Sequence, residues 1–564
     1  MEPTWCQGFP RDNTLVQLLD VSQATNEPII HDAYGLDKTY AELLGDVVET
    51  RDRIRKAVPA SSLDRHGMLR EAAPYTGFLG LSGYEFIVAF FAARALGGAC
   101  MPFGAGILPQ EAHSFLARSK ACVLLVGGHK LERGQQINEY SQQHGHGFQL
   151  VRISTDAPPV AIGSIAIDDS VQLDGGGPGF VIFTSGTTGP PKGAVLPRRW
   201  CLFEGPAEPG SATISERPPH WIGGAYPMLE STLIGRHVYI LKNAPPVSAI
   251  WDTFRDHRID HMAFTPGLLR AMKQDYQDRI CKLPAAEHRL YLQGIRNLKT
   301  LWQGGGMPSV SMLDFWRDLV GKPVAMRYGS TELGGTVTGH DGSSKIKYSV
   351  GTPFPGIEIK LSNGDSGAIL VRSPHMMTHY IGDEHGPKDN LDSEGYLESG
   401  DTGHLQDGEL IYDGRASNEY IFFNGYRIPI LPLEHALCDL GYISEGYVVA
   451  VPDHESNEIC GALVRLRKTG SDEKVDLARI RSDLSEDHAA FTLPVVLRIL
   501  DDGEEVPVTV SQKPMRKQAA RKFFLTDDYW SPENPTPGVE YVDPKPTNQE
   551  AKTRRIWDWA GLQR

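Results

Sequence analysis

The chain has 564 residues, 40% of them hydrophobic and 22% charged, so it is too long for one ordinary hydrophobic core and falls in the globular range of composition. Its formal charge of −14 argues against a broad nucleic-acid-binding surface. No uninterrupted apolar run approaches the roughly 20 residues that cross a bilayer, so membrane insertion is not expected.

The first ten residues lack the basic start and apolar stretch of a secretory signal, and Gly561-Leu-Gln-Arg564 is not a peroxisomal address, so a cytoplasmic protein is expected. Residues 84–96 are apolar all round, which predicts a buried helix stopped by Gly97-Gly98. The apolar runs 121–126, 238–241 and 261–264 read as buried strands, with helices over 251–258 and 266–274 between them. Such alternation implies a doubly wound α/β arrangement with mostly parallel sheets. The seven cysteines are scattered, odd in number and without a Cys-x-x-Cys pair, which predicts reduced thiols. His144-Gly-His146 reads as a polar loop rather than a metal site, because no partner ligands lie nearby in sequence.

After about residue 410 the texture changes to short strands, 409–412 and 420–423, followed by the hairpin signal Asn424-Gly425 before 426–428. Runs at 448–451, 462–466 and 495–499 and an amphipathic helix over 475–484 complete a smaller α+β unit. From Thr526 onward five prolines between Pro532 and Pro546 predict an extended tail, with a short helix over 551–560. The expected fold is therefore α/β: a large N-terminal domain of doubly wound, mostly parallel sheets (1–415), a smaller α+β C-terminal domain (416–525), and a proline-rich tail (526–564).

The most informative stretch is Phe183-Thr-Ser-Gly-Thr-Thr-Gly-Pro-Pro-Lys-Gly193, which follows an apolar strand. Glycines let backbone amides approach an anion, hydroxyls add donors and the lysine adds charge, so phosphate is the natural ligand. The spacing is not that of a Walker loop, since Pro191 precedes Lys192 and Gly193 follows it. Further on stand Gln303-Gly-Gly-Gly306, Tyr328-Gly-Ser-Thr-Glu332, Ser399-Gly-Asp401, Gly414-Arg415 and Thr509-Val-Ser-Gln-Lys513.

In this order these motifs resemble the adenylate-forming superfamily of acyl-CoA synthetases, peptide-synthetase adenylation domains and firefly luciferase, and the resemblance spans nearly the whole chain. It implies that Thr184, Ser185, Gly186, Thr187, Thr188, Gly189 and Lys192 form the phosphate loop of an ATP or AMP site. Gly304, Gly305, Gly306, Tyr328, Gly329, Asp401 and Arg415 would complete that site, with Asp401 on the ribose hydroxyls. Lys513 would reach between the carboxylate and the α-phosphate, Thr331 would contact that phosphate, and Glu332 would hold Mg²⁺. His220, in His220-Trp-Ile-Gly-Gly224, is similar to the family's acyl-pocket histidine. Arg327 stands where some dicarboxylate-using relatives carry arginine. Gly425 and Arg427 look like residues of the coenzyme A side, and the resemblance implies that the smaller C-terminal domain is mobile and joined by a hinge at Ser417.

The chemistry explains the residue types. A carboxylate becomes an electrophile only when its oxygen is made a leaving group, and attack on the α-phosphate brings two anions together. After Lys513, 51 residues remain (564 − 513), too few for a carrier domain. The acceptor must be external. The resemblance implies ATP, Mg²⁺ and coenzyme A acting on a small-molecule carboxylic acid in an acyl-CoA synthetase. Two alternatives stand beside it: transfer of the acyl group to an amine or a separate carrier protein, and a nucleotide-binding relative without turnover. The chain departs from the family pattern at Ser417, at Gln512 in place of glycine, and by one extra residue between Gly414 and Gly425.

Overall fold

The structure, a computed structural model, describes residues 8–71, 74–184, 191–203, 205–306, 308, 310–346, 348–382, 391–415, 420–423, 426–467, 474–507, 514–525 and 528–542, without the side chains of 270, 310, 311, 414, 415, 431 and 435. Its central sheet has seven strands in the order His379–Tyr380, Lys192–Pro197, Pro178–Thr184, Ala99–Pro102, Tyr75–Leu79, Val123–Val126, Gln149–Arg152. The last five are parallel to their neighbours, whereas Lys192–Pro197 and His379–Tyr380 add antiparallel edges. Ala99–Pro102 and Val123–Val126 are buried at every position, as parallel strands covered on both faces must be.

The helix Gly83–Arg94 lies wholly buried and begins one residue earlier than the periodicity suggests, because the Ser82 side chain accepts from the Glu85 N–H as its cap. The left-handed Gly97 (φ +73°) follows its end. A second sheet orders Ala212–Ser215, His237–Ile240, Ile30–Asp32 and Leu36–Lys38, and a third orders Ala263–Phe264, Leu301–Gln303, Val324–Ser330, Gly335–His340 and Thr352–Pro353. Both mix parallel and antiparallel pairs, so the α/β fold is built on mixed sheets with parallel interiors.

A fourth, antiparallel sheet of Glu358–Leu361, Ser366–Arg372, Leu397–Gln406 and Glu409–Arg415 closes the large unit. The strand at 409–412, read from sequence as the start of the smaller unit, thus pairs backwards with Leu397–Gln406. Pairing of distant strands is decided by tertiary contacts that local composition does not encode.

The smaller unit has a core of its own, running from Ile421 to Trp530. Its long strands Ile443–Asp453 and Asn457–Leu466 pair antiparallel, with the hairpin Tyr420–Phe423/Tyr426–Pro429 beside them. The segment after 526 differs from the expected extended tail as far as residue 542. Trp530 is buried in this core, and Val539–Tyr541 adds an edge strand to Val496–Ile499. Proline is tolerated in the loops that lead to such an edge. The helix expected over 551–560 lies outside the described residues. Among the described residues six cysteines are free, and no helix is long and apolar enough to cross a membrane.

Candidate active site

Three strands deliver the first group of site residues. Val324–Ser330 carries Tyr328, Leu397–Gln406 carries Asp401 and Glu409–Arg415 carries Tyr412. The Tyr328 hydroxyl donates to Asp401 Oδ2 at 2.8 Å, and the Tyr412 hydroxyl approaches Oδ1 at 3.4 Å. Burial, and then the Asp401 charge, push the Tyr328 phenol well above its ordinary pKa, so it stays a donor and Asp401 an acceptor. Arg415 lies opposite Asp401 in the strand register; its side chain is outside the described ones.

This carboxylate faces a cavity of about 140 Å³, lined also by Gly305, Gly306, Gly329 and Val350. Glycine is needed at two of these positions. A Cβ at Gly329 would lie 1.8 Å from the Gly335 carbonyl oxygen, and Gly305 has φ +80°. Gly304 donates its N–H to Phe264 O at 3.0 Å, which pins the glycine segment to the sheet edge. A planar base and ribose can therefore lie against bare backbone with Asp401 at the hydroxyls.

The second group flanks the segment expected to form the phosphate loop. Thr184 and Lys192 face each other in antiparallel register, while Ser185, Gly186, Thr187, Thr188 and Gly189 between them lie outside the described residues. Thr331 and Glu332 occupy the tight turn between Val324–Ser330 and Gly335–His340, closed by Gly334 N–H to Thr331 O at 3.0 Å. Tyr380 joins the two places: its hydroxyl donates to Glu332 Oε1 at 3.4 Å, and Lys192 Nζ lies 5.4 Å from its ring centroid. Among the described residues no cluster of three or more His, Cys, Asp or Glu side chains can hold a metal. One carboxylate with neighbouring hydroxyls suits a hard cation that takes most of its ligands from phosphate and water, the habit of Mg²⁺.

A third group lines a separate cavity of about 170 Å³, walled by Ile222, Tyr226, Phe264 and Trp302, with Arg217 and Arg327 among its polar residues. Arg327 also borders the 140 Å³ cavity. Its guanidinium lies 5.0 Å from the Phe354 ring centroid and 6.0 Å from that of Trp302, and no ion-pair partner is found for it among the described residues. Burial lowers its pKa, with Asp341 pulling the other way. Arg217 is not singled out by the sequence motifs. It pairs with the buried Glu216 at 2.8 Å, and the only signal is a charged dipeptide directly after an apolar strand.

His220 does not line the 170 Å³ cavity. It is buried beside a different one of about 20 Å³, with Phe103 and Met228. The Pro218-Pro219 pair precedes it, and residues one turn later, Ile222, Gly223, Tyr226 and Pro227, face the larger space instead. From the smaller unit, Phe422, Arg427 and Asn457 close the 140 Å³ cavity. Gly425, Ser417 and Lys513 lie outside the described residues.

Comparison with known proteins shows the family and the fold. A family profile described as AMP-binding enzyme matches residues 52–381. The acyl-CoA ligase oryP of Aspergillus oryzae is 31% identical over 526 residues, covering 92% of this chain and 93% of that protein. A solved malonyl-CoA ligase with methylmalonyl-CoA and AMP bound superposes with a TM-score of 0.62 at 21% identity, covering 85% of this chain and 97% of that one. The amide bond synthetase McbA of Marinactinospora thermotolerans gives a TM-score of 0.66 at 19% identity, covering 90% and 99%. The two structures establish similarity of fold.

Proposed function

We infer, for a chain that belongs to the AMP-binding enzyme family, that its substrate is a short dicarboxylic acid, one carboxylate being activated while Arg327 holds the other. The protein is an AMP-forming acid–thiol ligase: ATP and a carboxylate give an acyl-adenylate and pyrophosphate, and coenzyme A then takes the acyl group as a thioester.

The observation that carries the substrate reading is Arg327 itself. A cation in a largely aromatic and aliphatic cavity, without an ion pair among the described residues, has lost hydration that an incoming carboxylate restores. The cavity of about 170 Å³ compares with cavities of about 150 Å³ that hold a benzene ring, so it suits a short acid rather than a long acyl chain. The solved malonyl-CoA ligase holds methylmalonyl-CoA, the monothioester of a dicarboxylic acid.

In the first half-reaction a carboxylate oxygen of the substrate attacks the α-phosphorus and the bond to the pyrophosphate oxygen breaks. Asp401, oriented by Tyr328 and Tyr412, accepts from the ribose hydroxyls and fixes the nucleotide. Thr184, Lys192 and Thr331 supply donors around the phosphates, and Lys513 would meet the charge that develops on the α-phosphate. Glu332 would hold Mg²⁺, which when bound would screen the triphosphate charge.

In the second half-reaction the coenzyme A sulfur attacks the acyl carbon and AMP leaves. Phe422 and Arg427 of the smaller unit already border the nucleotide cavity, which supports reading this arrangement as the one for thioester formation. Turning the smaller unit at the Ser417 hinge would bring Lys513 in for adenylation.

The expected product from ATP, a short dicarboxylic acid and coenzyme A is the monothioester, with AMP and pyrophosphate in equal amounts. Mass analysis of reactions given coenzyme A or an amine in turn checks this. Amide product with amines, and no thioester, would replace coenzyme A by an amine acceptor.

A further inference from the structure

The segment from Met377 to Ile381 ties the phosphate loop's exit strand to the turn that bears Glu332. Met377 N–H donates to Glu332 O at 2.9 Å, Thr378 N–H to Val195 O at 2.8 Å, and Ile381 N–H to Gly193 O at 2.8 Å. Tyr380 and His379 pair with Ala194 and Val195 as the edge of the central sheet. One short segment is thus bonded at one end to the Glu332 backbone and along the rest to the strand that Lys192 begins.

The Tyr380 side chain repeats the connection at the level of functional groups. Its hydroxyl donates toward Glu332 Oε1 at 3.4 Å, and the Thr184 hydroxyl lies in hydrogen-bonding range of the Tyr380 oxygen. Its ring faces Lys192 Nζ. The phenol O–H is the donor of the bond to Glu332 and the carboxylate its acceptor. At 3.4 Å the bond is longer than the 2.7–2.8 Å, roughly, that is usual for a hydroxyl donor. Such contacts tighten when ligand binds.

We propose that Tyr380 is a positioning residue for adenylation: it sets the Glu332 carboxylate at a fixed place relative to Thr184 and Lys192, so that the metal and the phosphate loop grip the same triphosphate. Thr184, Tyr380 and Glu332 form a short hydroxyl–phenol–carboxylate chain, and its loss separates phosphate binding from metal binding. This rests on the reading of Glu332 as the Mg²⁺ carboxylate.

The test compares Tyr380→Phe and Glu332→Gln in the full-length protein. Binding of ATP and of AMP is measured by calorimetry, with Mg²⁺ and with chelator, together with the Mg²⁺ concentration for half-maximal pyrophosphate exchange. The phenyl ring keeps the packing on Lys192 and the strand pairing, so the fold does not depend on the hydroxyl. Tyr380→Phe is expected to weaken ATP binding in Mg²⁺ by about 5–10-fold and to raise the half-maximal Mg²⁺ concentration by a similar factor, the effect of one hydrogen bond of ordinary strength. AMP binding and the thermal midpoint should stay at wild-type values. If Glu332→Gln loses the Mg²⁺ dependence while Tyr380→Phe behaves as wild type, the role of Tyr380 is overturned and that of Glu332 stands. If Glu332→Gln keeps the wild-type Mg²⁺ response, the reading of Glu332 falls and the proposal with it. Equal weakening of ATP with and without Mg²⁺ by Tyr380→Phe would also overturn it, as a merely structural effect.

Discussion

Replacing Lys513 by alanine is expected to lower carboxylate-dependent ATP–pyrophosphate exchange by about 10²–10³-fold, the usual cost of removing one group that stabilises transition-state charge. Binding of ATP should change little, because Asp401 and the phosphate loop remain. The physical reason is geometric. Lys513 itself lies outside the described residues, but the chain just after it is anchored: Met515 N–H donates to Pro507 O at 2.8 Å, and Arg516 pairs with Glu434 at 2.8 Å. These bonds hold the start of the helix Arg516–Phe524 on the smaller unit's own sheet. The wall that the smaller unit presents to the nucleotide cavity is Phe422 and Arg427. A lysine that acts only after the smaller unit turns should matter for the first half-reaction alone. Thioester formation from supplied acyl-adenylate and coenzyme A should therefore survive Lys513→Ala. Equal loss of both half-reactions would remove Lys513 from its assigned role.

Replacing Arg327 by methionine is expected to lower kcat/KM on dicarboxylic acids by about 30–5,000-fold, because truncating one partner of a buried, hydrogen-bonded charge pair costs about 2–5 kcal/mol. Monocarboxylic acids of the same length should lose nothing, and those with an apolar end should gain. The sign follows from burial. The guanidinium is held between Phe354 and Trp302, and among the described residues its hydrogen bonds are long, 3.4 and 3.5 Å, to the carbonyls of Met326 and His340. Methionine fills much of that space without charge. Steady-state kinetics on matched mono- and dicarboxylic acids check this, and an unchanged preference would separate Arg327 from acid recognition.

Much of the candidate nucleotide site is legible in the amino-acid sequence, since the proposed chemistry demands particular residue types in short motifs. Tyr328 and Asp401 are 73 positions apart, yet each stands in a recognisable motif, and the fold brings their side chains to 2.8 Å. Tyr412 and Tyr380 are not legible in that way. Each is set by strand register, Tyr412 opposite Gly403 and Tyr380 opposite Ala194, and no local pattern announces that register. His220 shows the same limit: its motif is visible, but its direction depends on how Pro218 and Pro219 turn the chain into the helix Ile222–Ile234. The buried helix Gly83–Arg94 is visible to within two residues at its C-terminal end because all-round burial leaves an unambiguous apolar run. The last strand, Val539–Tyr541, is hidden behind prolines that mark its approach and not its pairing.

The most direct measurement of the central claim is ATP–pyrophosphate exchange by the wild-type protein and Asp401→Ala across a panel of short mono- and dicarboxylic acids. The account predicts exchange only when an acid is present, fastest with a short dicarboxylic acid, and lost in Asp401→Ala. Exchange with no acid of the panel, or exchange that Asp401→Ala leaves untouched, would contradict it.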